Sequence, residues 1–140
     1  MRRLPRRVVE GVVGGLVATA VMSAQMVAAP STERIGTPPP RRIADALFPD
    51  RPTRERRIAA TVIHLAIGAS SGVVYRAVVN RRRGGVVSGA LFGVAIWAVG
   101  YELLAPALGV LPPAHRDRPE RRTALIEAHL IFGAILGALR

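Results

Sequence analysis

Four apolar runs, each bounded by arginine or proline, constrain this 140-residue chain more than any other feature. They cover residues 8–29, 58–79, 86–105 and 123–139. A helix rises about 1.5 Å per residue and the hydrocarbon layer is about 30 Å thick, so roughly 20 apolar residues cross it. The last run, at 17 residues, sits at the short end of that range. Inside a water-free layer every backbone amide needs a partner within the protein, which selects helices for such segments. Connectors 30–57 and 106–122 and a turn at 80–85 separate the runs. The expectation is a single all-α domain, an integral membrane four-helix bundle with lipid as its surroundings.

The first run has a competitor. Its basic start and Val27-Ala28-Ala29 resemble a secretory leader with a cleavage site. The run exceeds the usual 7–15 residues of such leaders, and three more spans come after it, so a retained first helix is expected.

One stretch occurs twice. Glu55-Arg56-Arg57 leads into His64-Leu65, Gly68-Ala69 and Gly72, and Glu120-Arg121-Arg122 leads at the same spacing into His129-Leu130, Gly133-Ala134 and Gly137. At an offset of 65, 9 of the 18 positions from Glu55 to Gly72 are identical. The connectors repeat in kind as well. Gly109 precedes Pro112-Pro113 as Gly36 precedes Pro38-Pro39, and Asp117-Arg118-Pro119 resembles Asp50-Arg51-Pro52. The bundle therefore reads as two duplicated helical hairpins, with the second member of each pair carrying the clear repeat. Within the first connector, Ile43 and Leu47 fall on one face of a short amphipathic turn that a membrane surface or plain solvent would suit.

Each run carries glycines four residues apart: Gly11 and Gly15, Gly68 and Gly72, Gly89 and Gly93, Gly133 and Gly137. Apolar side chains gain little in lipid by touching each other, so close backbone approach over small residues is what brings membrane helices together. These eight positions are the expected packing sites.

The net charge of +11 would point to nucleic acid in a soluble protein. Here all 20 basic residues are arginines that flank apolar runs, and few aromatic residues accompany them, so no nucleic-acid partner is expected. Arg76, Arg81, Arg82 and Arg83 read as headgroup anchors. Arginine counts do not orient the chain, with nine on the side of the termini against 11 in the long connectors. The terminal side is poor in acids, which favours cytoplasmic N- and C-termini.

Chemistry is confined to one layer. His64 and His129 each lie seven residues beyond a paired arginine, roughly 10 Å below the connector surface. Gln25, Glu102 and Glu127 fall at similar depth. Each histidine shares a helix face with two glycines, which directs it to the packed interior, while Glu127 is too far around the helix from His129 to pair with it and is expected to meet Glu102, Gln25 or a connector arginine. Three readings are open: a structural layer of neutral imidazoles bonded across helices, a proton-responsive site, or a haem held by one histidine from each repeat. Two histidines and a carboxylate also form the donor set of a zinc site, although the spacing is not diagnostic. Cysteine is absent, and no Gly-x-Ser-x-Gly, His-Glu-x-x-His or glycine-rich nucleotide loop occurs, so no catalytic residues, no metal and no enzyme activity are expected.

The order Ala18-Thr19-Ala20-Val21-Met22-Ser23, then His64 through Gly68 and Gly72 to Tyr75, then Trp97 to Pro106, then His129 through Gly133 to Gly137, resembles the small four-helix inner-membrane proteins related to YagU. The similarity runs over nearly the whole chain. That family is largely of unknown function. The resemblance implies a link to acid resistance and supplies no catalytic residues. No cofactor is expected, and the expected partners are the lipid bilayer and a second copy of the chain or a larger membrane complex. The alternative is a small accessory or electron-transfer subunit carrying haem.

Overall fold

In a computed structural model the described residues, 3–27, 33–79 and 84–139, are all-helical. Helix α1 (Arg3–Val27) is followed by a short α2 (Pro39–Leu47), then α3 (Thr53–Val78), α4 (Val86–Ala107) and α5 (Pro119–Ala138). A single 3₁₀ turn, Ala114–Arg116, interrupts the second connector. By length and apolar character, three helices suffice to cross a membrane: Pro5–Val27, Thr53–Val78 and Val86–Ala107. Helix α5 is long enough but carries Glu120, Arg121, Arg122 and Glu127 in its first half.

Local chemistry explains the starts. Pro119 opens α5 and Pro39-Pro40 open α2, positions where the missing amide hydrogen costs nothing. The proline run thus starts a helix as well as stopping one. At α4, the Ser88 hydroxyl accepts from the Gly85 amide at 2.8 Å and donates to the Gly85 carbonyl at 2.9 Å. Gly36 and Gly109 take φ of +67° and +66°, left-handed turns open mainly to glycine. Helix α3 begins at Thr53, before Arg56-Arg57, so Arg56, Ala60, His64 and Gly68 succeed one another along a single face.

Pro106 does not end the fourth helix as its sequence position implies. Proline has no amide hydrogen, and its ring crowds the carbonyl four residues back, here Glu102. The helix widens to a π-turn over Val99–Leu104 and continues to Ala107, with the Ala105 amide bonding the Gly100 carbonyl.

Two glycine seams join the long helices. Along α1 and α3, a β-carbon on Gly15 would lie 2.2 Å from the Gly68 carbonyl oxygen, and one on Gly72 would lie 2.1 Å from that of Gly11. Along α4 and α5, the same construction puts Gly89 2.0 Å from the Gly133 oxygen and Gly93 2.0 Å from the His129 oxygen. Gly72 fits between Gly11 and Gly15, and Gly137, 65 residues on, fits between Gly85 and Gly89. Both helix pairs are antiparallel. Helix α5 also packs on α1, and one core joins Ala18 and Met22 of α1, Tyr75 of α3, Phe92 of α4 and Phe132 and Leu136 of α5.

The connectors are not loose. Ile35 from the first and Val110, Leu111 and Ala114 from the second are buried together against Ala124 and Leu125 of α5 and Tyr101 of α4. Ile43 of α2 packs against this second core, whereas Leu47, expected on the same face, is 56 % exposed. Ala44 is fully buried where α2 lies along α3.

Candidate functional site at the connector end

His64 reaches across the first seam. Its Nε2 lies 3.1 Å from Ser23 Oγ on α1. One helical turn from Ser23, Thr19 is fully buried in the glycine groove, with its hydroxyl donating to the Gly15 carbonyl at 2.7 Å. His129 turns instead to its own helix, Nδ1 lying 2.8 Å from the Leu125 carbonyl oxygen. A carbonyl only accepts, so Nδ1 carries the proton and neutral His129 presents Nε2 as an acceptor.

The carboxylates of the same layer are engaged by the connectors, Glu127 by a connector arginine as expected and Glu102 by a histidine. Glu127 pairs with Arg34 of the first connector at 3.2 Å. Glu102 binds His115 of the second connector twice, accepting from its amide at 3.2 Å and lying 2.9 Å from Nδ1. Gln25 is partly buried near the end of α1. Arg76 donates to the Leu139 carbonyl, tying the end of α3 to the end of α5, while Arg81, Arg82 and Arg83 lie outside the described residues. Among the described residues, no three of His, Cys, Asp and Glu converge as a metal site.

Above the histidines the structure holds ion pairs that sequence inspection did not single out. Arg121 donates to Asp117 Oδ2 at 3.1 Å, and the Tyr101 hydroxyl donates to the same oxygen. Their burial is nearly complete, with the Arg121 and Asp117 side chains 11 % and 4 % exposed. In the first repeat Arg56 pairs with Asp45 at 3.0 Å, and Arg41 pairs with the same oxygen at 2.8 Å. Arg56 and Arg121 are the second residues of the repeated Glu-Arg-Arg, so each repeat clamps a connector to its helix through one aspartate. The duplicated arginine was the available signal, but its partners come from unlike positions, Asp45 on α2 and Asp117 beyond the 3₁₀ turn. Between the connectors runs an open groove of about 350 Å³ lined by Thr37, Arg42, Asp45, Ala46, Gly109 and Val110.

Burial pushes the Asp117 carboxyl up, but the hydrogen bonds from Tyr101 and the Arg118 amide and the charge of Arg121 outweigh it and hold the group below the ordinary aspartate range. A carboxyl depressed in the folded state stabilises the fold at pH above its unfolded value and loses that contribution as pH falls through the folded value. The second connector should therefore loosen only below about pH 4. Proteolysis of residues 106–122 across an acid series should show its onset in that window. In Asp117→Asn, which lacks this titration, susceptibility of the same segment should not change across it.

Neither curated proteins nor solved structures provide a match to the chain. Residues 5–140 match the profile described as a family of unknown function, DUF6789. That match takes in both seams, both connectors and both histidines, and the chain belongs to the DUF6789 family.

Proposed function

We propose that this chain is a non-enzymatic, multi-pass protein of a bacterial inner membrane, built as a four-helix bundle of two duplicated hairpins, and that its histidine pair makes it proton-responsive. Membrane insertion is supported by three spanning-length helices and by large apolar side chains turned outward along them, among them Val13, Val62 and Leu91, 54–67 % exposed. Arg121 is buried against Asp117 and Glu127 is paired with Arg34, so connectors rather than lipid engage these two charges of α5, which supports its serving as the fourth span. Duplication is supported by the matching glycine registers, by the use of the repeated arginine in both clamps and by the left-handed Gly36 and Gly109 of the two connectors. The acid-poor terminal side favours cytoplasmic termini, with the clamped connectors on the opposite face.

The observation that carries the proton-responsive reading is the position of His64 and His129, one from each repeat at the same register, on the two glycine-packed helix pairs and below a connector layer held by ion pairs. His64 bonds Ser23 across the α1–α3 seam, so a change in its charge acts on helix packing. The haem alternative is not favoured: Ser23 occupies Nε2 of His64, and α4 and α5 are in backbone contact at Gly93 and His129.

The test is proton flux or melting of the reconstituted protein between pH 8 and 5. The unaltered chain should respond to pH, His64→Ala/His129→Ala should not, and His115→Ala, which removes the remaining histidine, should behave like the unaltered chain. A full pH response in the double variant would refute the reading.

A further inference from the structure

We infer that the corner between α2 and α3 is a binding surface for anionic phospholipid headgroups. This rests on the membrane-embedded reading and adds a lipid class and a place to it. The corner is a tight turn in which the Arg51 amide bonds the Phe48 carbonyl at 3.2 Å, succeeded at once by Thr53, the first residue of α3. Leu47 and Phe48 stand 56 % and 41 % exposed there. They are held outward by a rigid mount, since Ala44 is fully buried and the Asp45–Arg56 pair ties α2 to α3.

Exposed apolar side chains at a fixed corner need a covering, and the neighbouring charges say which kind. Arg54 and Arg57 are exposed, and among the described residues no carboxylate pairs with either. Arg51 reaches Glu55 only at 3.6 Å across open solvent. The same helix then continues into exposed Ile58 and Val62, the apolar surface assigned above to acyl chains. An apolar pair, guanidinium groups and a lipid-facing helix in direct succession match the layers of a membrane boundary: acyl chain, phosphodiester, water. Guanidinium forks bind phosphate through paired hydrogen bonds, and basic residues at a membrane surface are drawn to anionic lipid. The zwitterionic headgroup cancels much of that attraction, which is why the surface selects anionic lipid. Arg56 takes no part, because Asp45 occupies it.

The experiment uses the full chain in vesicles of phosphatidylcholine with and without phosphatidylglycerol. Trp97 is the single native tryptophan, so W97F/F48W moves the fluorophore to the corner. Its emission should be quenched by lipids brominated near the headgroup, and more strongly when phosphatidylglycerol is present. In that background R54S/R57S should lower the preference for phosphatidylglycerol on the order of tenfold. A second measurement needs no probe: phosphatidylglycerol should raise the melting temperature of the unaltered chain, and R54S/R57S should lose that rise. Quenching that ignores lipid charge, together with a melting temperature that does too, overturns the inference while leaving membrane insertion intact. Release of the chain from the vesicles by alkaline carbonate overturns the inference and the membrane reading together. Protection of the corner by another protein with no lipid dependence also overturns it.

Discussion

Gly133→Leu should prevent α4 from docking on α5, and even Gly15→Ala should lower the melting temperature substantially. A β-carbon on Gly133 would lie 2.1 Å from the Gly89 carbonyl oxygen and 2.9 Å from the Gly93 amide nitrogen. Both obstacles are backbone, so no side chain can swing aside and whole helices must separate. Overpacking a well-filled core costs about 1–3 kcal/mol when neighbours can adjust. Here relief means losing the seam, a large share of the roughly 5–15 kcal/mol that holds a domain together. Gly68→Leu meets the Thr19 side chain first and the Gly15 carbonyl next, and should damage the α1–α3 seam comparably. Gly100→Ala provides the control. Nothing lies within 4 Å of the added methyl, so melting should stay close to that of the unaltered chain. Thermal unfolding in mild detergent distinguishes these outcomes, and unchanged melting of both leucine variants would remove the seams from the account.

Arg121→Leu should release the second connector. Asp117 would then keep a charge in a site only 4 % exposed, with the Tyr101 hydroxyl as its one remaining side-chain partner. Removing one member of a buried pair costs about 3–5 kcal/mol, most of it the penalty of the charge left behind. The triple variant Arg121→Leu/Asp117→Leu/Tyr101→Phe removes all three polar side chains at once, leaving only the Arg118 amide to find another partner, and should regain most of the loss, since apolar replacement of a whole buried polar group is often close to neutral. Arg56→Leu in the first repeat should cost only about 1 kcal/mol, because Asp45 retains Arg41 and the pair is 25 % and 33 % exposed. Limited proteolysis of the two connectors reads each clamp separately. Equal sensitivity in Arg56→Leu and Arg121→Leu would contradict the burial difference between the two clamps.

How much of the molecule is legible in the sequence depends on the range of the interaction. Helices, their approximate ends and the glycine spacing are local properties, set by apolar runs, prolines and the four-residue period. The connectors are harder. Proline runs announce breaks, but α2 begins inside one, and burial of Ile35 with Val110 and Leu111 depends on two segments separated by more than seventy residues. Glu102 shows the difficulty at one residue. Its depth in the sequence sets it beside the histidines, yet it pairs with His115. The π-turn at Val99–Leu104 inserts an extra residue into the helical period and rotates the remainder of the helix by roughly 100°. No count at 3.6 residues per turn could have anticipated which way Tyr101 and Glu102 face.

The sequence by itself determined the helical class, the repeated Glu-Arg-Arg to His to Gly unit and the small-residue positions, because backbone hydrogen bonding in an apolar segment and the absence of a β-carbon act without reference to distant parts of the chain. Only the tertiary structure decided which glycine faces which, that Ser23 meets His64, that Asp45 and Asp117 occupy the duplicated arginines, and that Glu127 belongs to Arg34. Those partnerships depend on how two unlike connectors fold over one end of the helices, and polar side chains there pair with whatever the closed chain brings within hydrogen-bond reach.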